Sequence, residues 1–233
     1  MLHSLVMKPA NSILSSYGVT VFETMSRLAI ETGAINLGQG FPDEDGPEAL
    51  RLLAGKAALD VGCGAGLLCE PLSRLGAKVT GVDAAAENIA AASAHAAGVG
   101  LDVDYRHGEL SSLGLGTFDL VTSMEVIEHV ADKPAFVAEL ASNLAPGGLM
   151  VLSTPNRTAA SRTLLIGAAE ALGAVPKGTH DWEDFITPDE LRDLLACAGL
   201  VMSEPKGIYF SVGKGLHLSD NLALNYIVTA RKG

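Results

Sequence analysis

The chain has 233 residues, enough for one domain with a sizeable core plus an appendage, and 48% hydrophobic against 18% charged residues argues against disorder. A formal net charge of −11 with scattered Lys and Arg disfavours a nucleic-acid partner, which needs a basic face. Cys63, Cys69 and Cys197 are an odd number without metal-like pairing, which argues against a disulfide framework and for a reducing cytoplasm.

From Gly55 onward strand and helix signals alternate. Ala57–Val61 is predicted as a first strand, Gly66–Leu75 as a helix, Lys78–Val82 as a second strand, Glu87–Ala97 as an alanine-rich helix and Asp102–Tyr105 as a third strand. Phe118–Ser123 reads as a fourth strand and Pro134–Leu144 as a helix, with a Pro146–Gly148 turn handing over to a fifth strand at Leu149–Thr154. Thr187-Pro-Asp-Glu190 has the form of a capping box with proline just inside a helix that runs to Gly199. Closing strands near Met202–Tyr209 and Tyr226–Thr229 would complete a mixed sheet. The expected fold is therefore α/β, Rossmann-like and seven-stranded over residues 55–233, with residues 1–54 as an appendage.

The segment LDVGCGAGLLCEPLSRLGAKVTGVD, Leu59 to Asp83, is strand, glycine turn, helix, strand and terminal acid, the nucleotide-binding half of a doubly wound sheet. Gly62, Gly64 and Gly66 let backbone approach a ligand without Cβ clashes, and the following helix aims free N–H groups at the same place. Asp83, ending the second strand, is placed to accept hydrogen bonds from both ribose hydroxyls. Where a GxGxxG dinucleotide fingerprint puts its third glycine, this chain has Leu67. The GxGxG form resembles S-adenosylmethionine (SAM)-dependent methyltransferases.

More of the chain is similar to one group of them, the ubiquinone-biosynthesis O-methyltransferases. The blocks are LDVGCGAGLL (59–68), VTGVDAAAENI (79–89), MEVIEHV (124–130), STPNRT (153–158), VPKGTHDWEDFITPDEL (175–191) and LNYIV (224–228). The resemblance implies methylation of a catechol-type hydroxyl on a polyprenylated ring. It puts SAM on Gly62, Gly64, Gly66 and Asp83, with Met124 along the adenosine or methionine side and Glu109 near the adenine amine. Read by itself, Glu109 is equally a solvated loop residue.

Glu125, Glu128 and His129, at i, i+3 and i+4, would project from one side of a helical turn. Their donor types suit a divalent cation such as Mg²⁺, and the resemblance implies such a metal in some members. Read without it, the acids are helix-terminal carboxylates and the histidine a structural hydrogen bonder. His129 is the first candidate for general base, with His180 in GTHDW second. Related folds exchange acceptors through variable segments, so another small acceptor, or an impaired SAM-binding protein, stays open.

The amino terminus, MLHSLVMKPANSILSS, shows no uninterrupted apolar core or cleavage site for secretion, and no apolar run reaches the ~20 residues that span a bilayer. Residues 163–175, TLLIGAAEALGAV, bounded by Arg162 and Lys177, are long enough to lie at a membrane interface and equally readable as a core helix. The expected location is cytoplasmic, with peripheral contact to the inner membrane. Upstream, Val21–Leu50, with NLGQGFPD, resembles the amino-terminal arm of fold-type I pyridoxal-phosphate aminotransferases. The lysine and phosphate cup of that chemistry are missing, so the arm implies a fusion and not that activity. The helix with an NPxR-like stretch that precedes the first strand in the methyltransferases is also missing. Arg27 and Arg51 sit in other contexts, and cofactor affinity is therefore expected to suffer.

Overall fold

The computed structural model describes residues 53–163, 182–211 and 215–233. Residues 21–50, expected to resemble an aminotransferase arm, and His180 lie outside them, and of the stretch 163–175 only Thr163 lies within.

Nine strands among the described residues form one sheet. They are β1 Ala57–Val61, β2 Lys78–Asp83, β3 Val103–His107, β4 Phe118–Met124, β5 Leu144–Pro155, β6 Leu200–Met202, β7 Lys206–Ser211, β8 Gly215–Ser219 and β9 Asn225–Lys232. The order is β3-β2-β1-β4-β5-β9-β7-β8, with β6 also paired to β9. β1 to β5 run parallel, whereas β9 is antiparallel to β5, β6 and β7. The order reverses at β1, beside β4, and open α/β sheets bind ligands outside the carboxyl ends of their strands at such a point.

The count of seven expected strands is exceeded for two reasons. The sixth is divided at Ser203–Pro205, where proline lacks a ladder N–H, and β8 folds back on β7 as an extra hairpin strand. β5 also starts earlier than expected, at Leu144, and absorbs Pro146–Gly148 as an irregularity around left-handed Gly147 (φ 76°).

Helix α1, Cys69–Arg74, starts three residues after the expected Gly66, because Gly66 is left-handed (φ 85°) and cannot open a helix. Helices α2 Ala86–Gly98, α3 Leu110–Leu113, α4 Lys133–Ser142, α5 Ala159–Ser161 and α6 Pro188–Cys197 follow. Asp132 caps α4 through Ala135 N–H, with proline in its first turn, and α6 carries the Thr187/Glu190 capping box.

Alternation along the strands divides the core between the two faces of the sheet. Leu59, Val61 and Val121 join Val137, Leu140, Leu191 and Leu195 from α4 and α6. Ala58, Val79 and Leu120 join Cys69 and Leu72 from α1. No helix of the described residues is long and apolar enough to cross a membrane.

Candidate active site

The glycine turn is tied to the neighbouring strand: Gly62 and Cys63 both donate their N–H to the Val82 carbonyl, at 2.8 and 3.0 Å. Gly62, Gly64 and Gly66 have φ of 74°, 53° and 85°. A Cβ on Gly62 would sit 2.3 Å from a Val126 methyl, and one on Gly66 would sit 2.2 Å from the Tyr105 hydroxyl. At Gly64 there is open space, so only the left-handed backbone asks for glycine there.

Asp83 is itself hydrogen-bonded into the turn. Its Oδ2 accepts Gly64 N–H at 2.8 Å, and its Oδ1 accepts Ala85 N–H at 2.8 Å and Asn88 Nδ2 at 3.1 Å. These bonds use the fixed carboxylate to lock the turn against the end of β2. Beneath it, buried Asp60 accepts Thr122 Oγ1 at 2.6 Å and the Cys69 thiol at 3.4 Å. Burial, and to a lesser degree the nearby charge of Asp83, push the Asp60 carboxyl above its ordinary range, while the bonds from Thr122 and Cys69 oppose that shift.

A cavity of about 510 Å³ opens at the carboxyl ends of β1 and β2, with Gly62, Asp83, Glu109, Val126, His129 and Phe136 in its lining. It thus brings Gly62, Asp83 and Glu109 from the cofactor set together with His129. Gly64, Gly66 and Met124 are not among the lining residues; Gly64 acts through its bond to Asp83, and Met124 ends β4 beside Ser153. Sequence reasoning missed Val126 and Phe136. Val126 stood inside the quoted MEVIEHV block, and Phe136 on the apolar side of a predicted helix, so only the periodicity offered a signal.

The acids after β4 are arranged differently from the expectation. Glu125 is left-handed (φ 57°), which takes it out of any helical turn, and Ile127–His129 form a separate 3₁₀ turn. Glu125 Oε1 accepts Ser153 Oγ at 2.6 Å, and Oε2 accepts Asn225 Nδ2. Glu128, 4% exposed, accepts Thr154 Oγ1 at 3.0 Å, and its Oε1 is 4.0 Å from His129 Nε2. Burial raises the pKa of both carboxyls, and the charge of Glu128 raises that of Glu125 further. Among the described residues no three His, Cys, Asp or Glu side chains are gathered to hold a metal ion. The expected cation set of Glu125, Glu128 and His129 is not such a group.

The described part of the VPKGTHDWEDFITPDEL block is fastened to the end of β5. Trp182 Nε1 donates to the Thr158 carbonyl at 2.9 Å under the Arg162 guanidinium, 5.3 Å from the ring centre. Arg157 pairs with Glu190, and Lys133 with Asp184 at 3.7 Å. A second cavity of about 420 Å³ lies among these residues, between α4 and α6.

A family model described as a methyltransferase domain matches residues 42–204. The ubiquinone biosynthesis O-methyltransferase of Methylobacterium sp. (strain 4-46) is 45% identical over 194 residues, covering 82% of this chain and 77% of that protein. The protein of that name from Cereibacter sphaeroides (strain ATCC 17025 / ATH 2.4.3) is 48% identical over 181 residues, 76% of this chain and 73% of that one. Among solved structures, magnesium protoporphyrin IX methyltransferase from Synechocystis PCC 6803 with bound SAH has a TM-score of 0.59 at 20% identity, over 97% of this chain and 90% of that one. An S-adenosylmethionine dependent methyltransferase from Mesorhizobium loti gives 0.57 at 21%, over 82% and 99%. At such identities the structural likeness shows the fold.

Proposed function

The chain belongs to the methyltransferase-domain family and, within it, to the ubiquinone-biosynthesis O-methyltransferases, and from that premise we propose that it methylates a catechol-type hydroxyl on a polyprenylated precursor ring. SAM-dependent O-methylation in ubiquinone biosynthesis is its activity. The observation that supports the finer reading is that Gly62 and Asp83 share the lining of one cavity with His129.

Bound SAM supplies an electrophilic sulfonium methyl. The remaining work is to align the phenolic oxygen and remove its proton, because a free phenol ionises near pH 10 and is mostly protonated at neutrality. Gly62, Gly64, Gly66 and Asp83 hold the cofactor, with Glu109 and Met124 along its flanks. His129, which lines the cavity with its side chain 49% exposed, takes the acceptor proton. His180 is proposed as a second base candidate.

Peripheral membrane contact through 163–175 would bring the site to a lipid-borne substrate. Residues 1–54 are assigned to an appendage, so deletion of residues 1–50 should leave the melting temperature of the remainder nearly unchanged. Calorimetric titration with SAM, followed by methyl transfer to a short-chain catechol analogue, tests the central reading. SAM binding without transfer to the catechol would overturn the acceptor class, and failure to bind SAM would overturn the site.

A further inference from the structure

The two edges of the sheet are built differently. β3, at one end of the strand order, carries Asp104 and Arg106 as an exposed ion pair at 2.8 Å. β8, at the other end, reads Gly-Leu-His-Leu-Ser, without an acid, a lysine, an arginine or a proline. Its one strand partner among the described residues is β7, in a regular register, so its outer side is open to another strand. Edge strands are ordinarily blunted by charge, proline or a bulge, because an unblunted edge is a template for pairing.

The β7–β8 hairpin is apolar on one face. Alternation and the register Ile208↔Leu218 and Phe210↔Leu216 set these four side chains together, and Phe210, Leu216 and Leu218 are 68%, 73% and 60% exposed. On the other face Tyr209 meets His217 edge to face, with ring centres 5.8 Å apart, and at the root of the hairpin Lys206 Nζ pairs with Asp220 Oδ1 at 2.6 Å. These contacts hold the strand pair in shape before any partner arrives. Neither cavity described above takes a lining residue from β7 or β8.

We propose that β8 is the interface with a second copy of this chain, pairing antiparallel with itself about a two-fold axis at His217. The strand is self-complementary in that register: Leu216 falls opposite Leu218 of the second copy, and Gly215 opposite its Ser219. Each row across the joined sheet then carries four apolar side chains, Ile208 and Leu218 followed by Leu216 and Phe210 of the second copy. Such a contact is isologous, the form that closes a dimer. An apolar patch on the order of a few hundred Å² marks a contact site, and two of them with the paired edge backbone approach the ~1,000 Å² at which specific interfaces begin. A second copy fits this face better than a lipid surface, because the described residues of the hairpin offer headgroups no lysine or arginine beyond Lys206, which Asp220 already pairs.

The test is sedimentation of the full chain from about 1 to 100 µM, the range suited to an interface of this size. The mass should rise from the 24.0 kDa of one chain to twice that value. Leu216→Lys and Leu218→Lys should each raise the dissociation constant at least about 10-fold, while kcat with a short-chain catechol and the melting temperature at the lowest concentration stay parental. In a Cys197→Ser background, His217→Cys should form an intermolecular disulfide under oxidised glutathione, since directly opposed residues lie about 4.5–5.5 Å apart, whereas Tyr209→Cys, one strand further from the axis, should not. A chain that stays monomeric at every concentration would overturn the inference, as would a dimer that both lysine variants leave intact or that His217→Cys fails to cross-link. A monomer that floats with phosphatidylglycerol vesicles, and no longer does so as Leu216→Lys, would assign the patch to lipid and overturn it equally.

Discussion

Asp83 Oδ2 accepts the backbone N–H of Gly64 at 2.8 Å, so the acid that ends β2 holds the glycine turn that follows β1. With Ala85 N–H and Asn88 Nδ2 on its other oxygen, this carboxylate both shapes the ligand cradle and lines it. Asp83→Ala removes these bonds as well as any to ribose, each on the order of 1.5–3 kcal/mol for a charged acceptor. The expected outcome is loss of SAM affinity by at least about 100-fold, read by calorimetry on a protein that circular dichroism shows to be folded. A folded mutant with parental affinity would remove Asp83 from the cofactor site.

Gly62 is a more severe position in the turn than Gly64. It is left-handed, and the nearest Val126 methyl lies 2.3 Å from where its Cβ would stand. The side chain of Val126 belongs to the cavity wall, so relief of the clash moves the wall. Gly62→Ala should lower stability by roughly 1–2 kcal/mol for the backbone alone, plus the clash. Gly64→Ala, with nothing within 4 Å, should cost only the backbone share. Urea unfolding of the two variants side by side checks this ordering, and equal losses would show that the Val126 contact is easily relieved.

His129 lines the cavity and stands 4.0 Å from Glu128. As the general base, it can be removed without touching the glycine turn. His129→Ala should slow methyl transfer by about 10² to 10⁴, with SAM affinity unchanged. Full activity in steady-state turnover would pass the role to another group, with His180 the first to substitute.

The parallel half of the sheet was legible because its strands are short apolar runs between helices with recognisable ends. Ala57–Val61 is found at the predicted bounds, and the Thr187/Glu190 capping box opens its helix as expected. The antiparallel edge was less legible: LHL in β8 alternates with polar neighbours over too short a run to stand out, and its partner β7 follows a break at Pro205. In the site, spacing placed Gly62, Asp83 and His129 in one cavity, because strand ends of a doubly wound sheet must converge. Spacing misled at Glu125. The i, i+3, i+4 rule assumes a helix, and a single left-handed residue breaks it. Contacts from far along the chain, such as Asn225 to Glu125, have no signature in local pattern at all.

Asp60 gives a prediction for stability that is separate from turnover. Burial raises its pKa above the ordinary 3.8, so the folded protein binds this proton more tightly than the unfolded chain does. The stability it contributes is therefore complete below the unfolded-chain value and is lost as pH rises through the folded value. Asparagine keeps an acceptor for the Thr122 hydroxyl, which now donates to Asp60 Oδ1, and carries no charge to desolvate. Melting curves from pH 4 to 8 should show the Asp60→Asn variant gaining on the parent as pH increases, even though Glu125 and Glu128, also raised by burial, make both proteins less stable in that direction. A difference in melting temperature that stays flat across this range would show that the bonds from Thr122 and Cys69 fully offset the burial of the Asp60 charge.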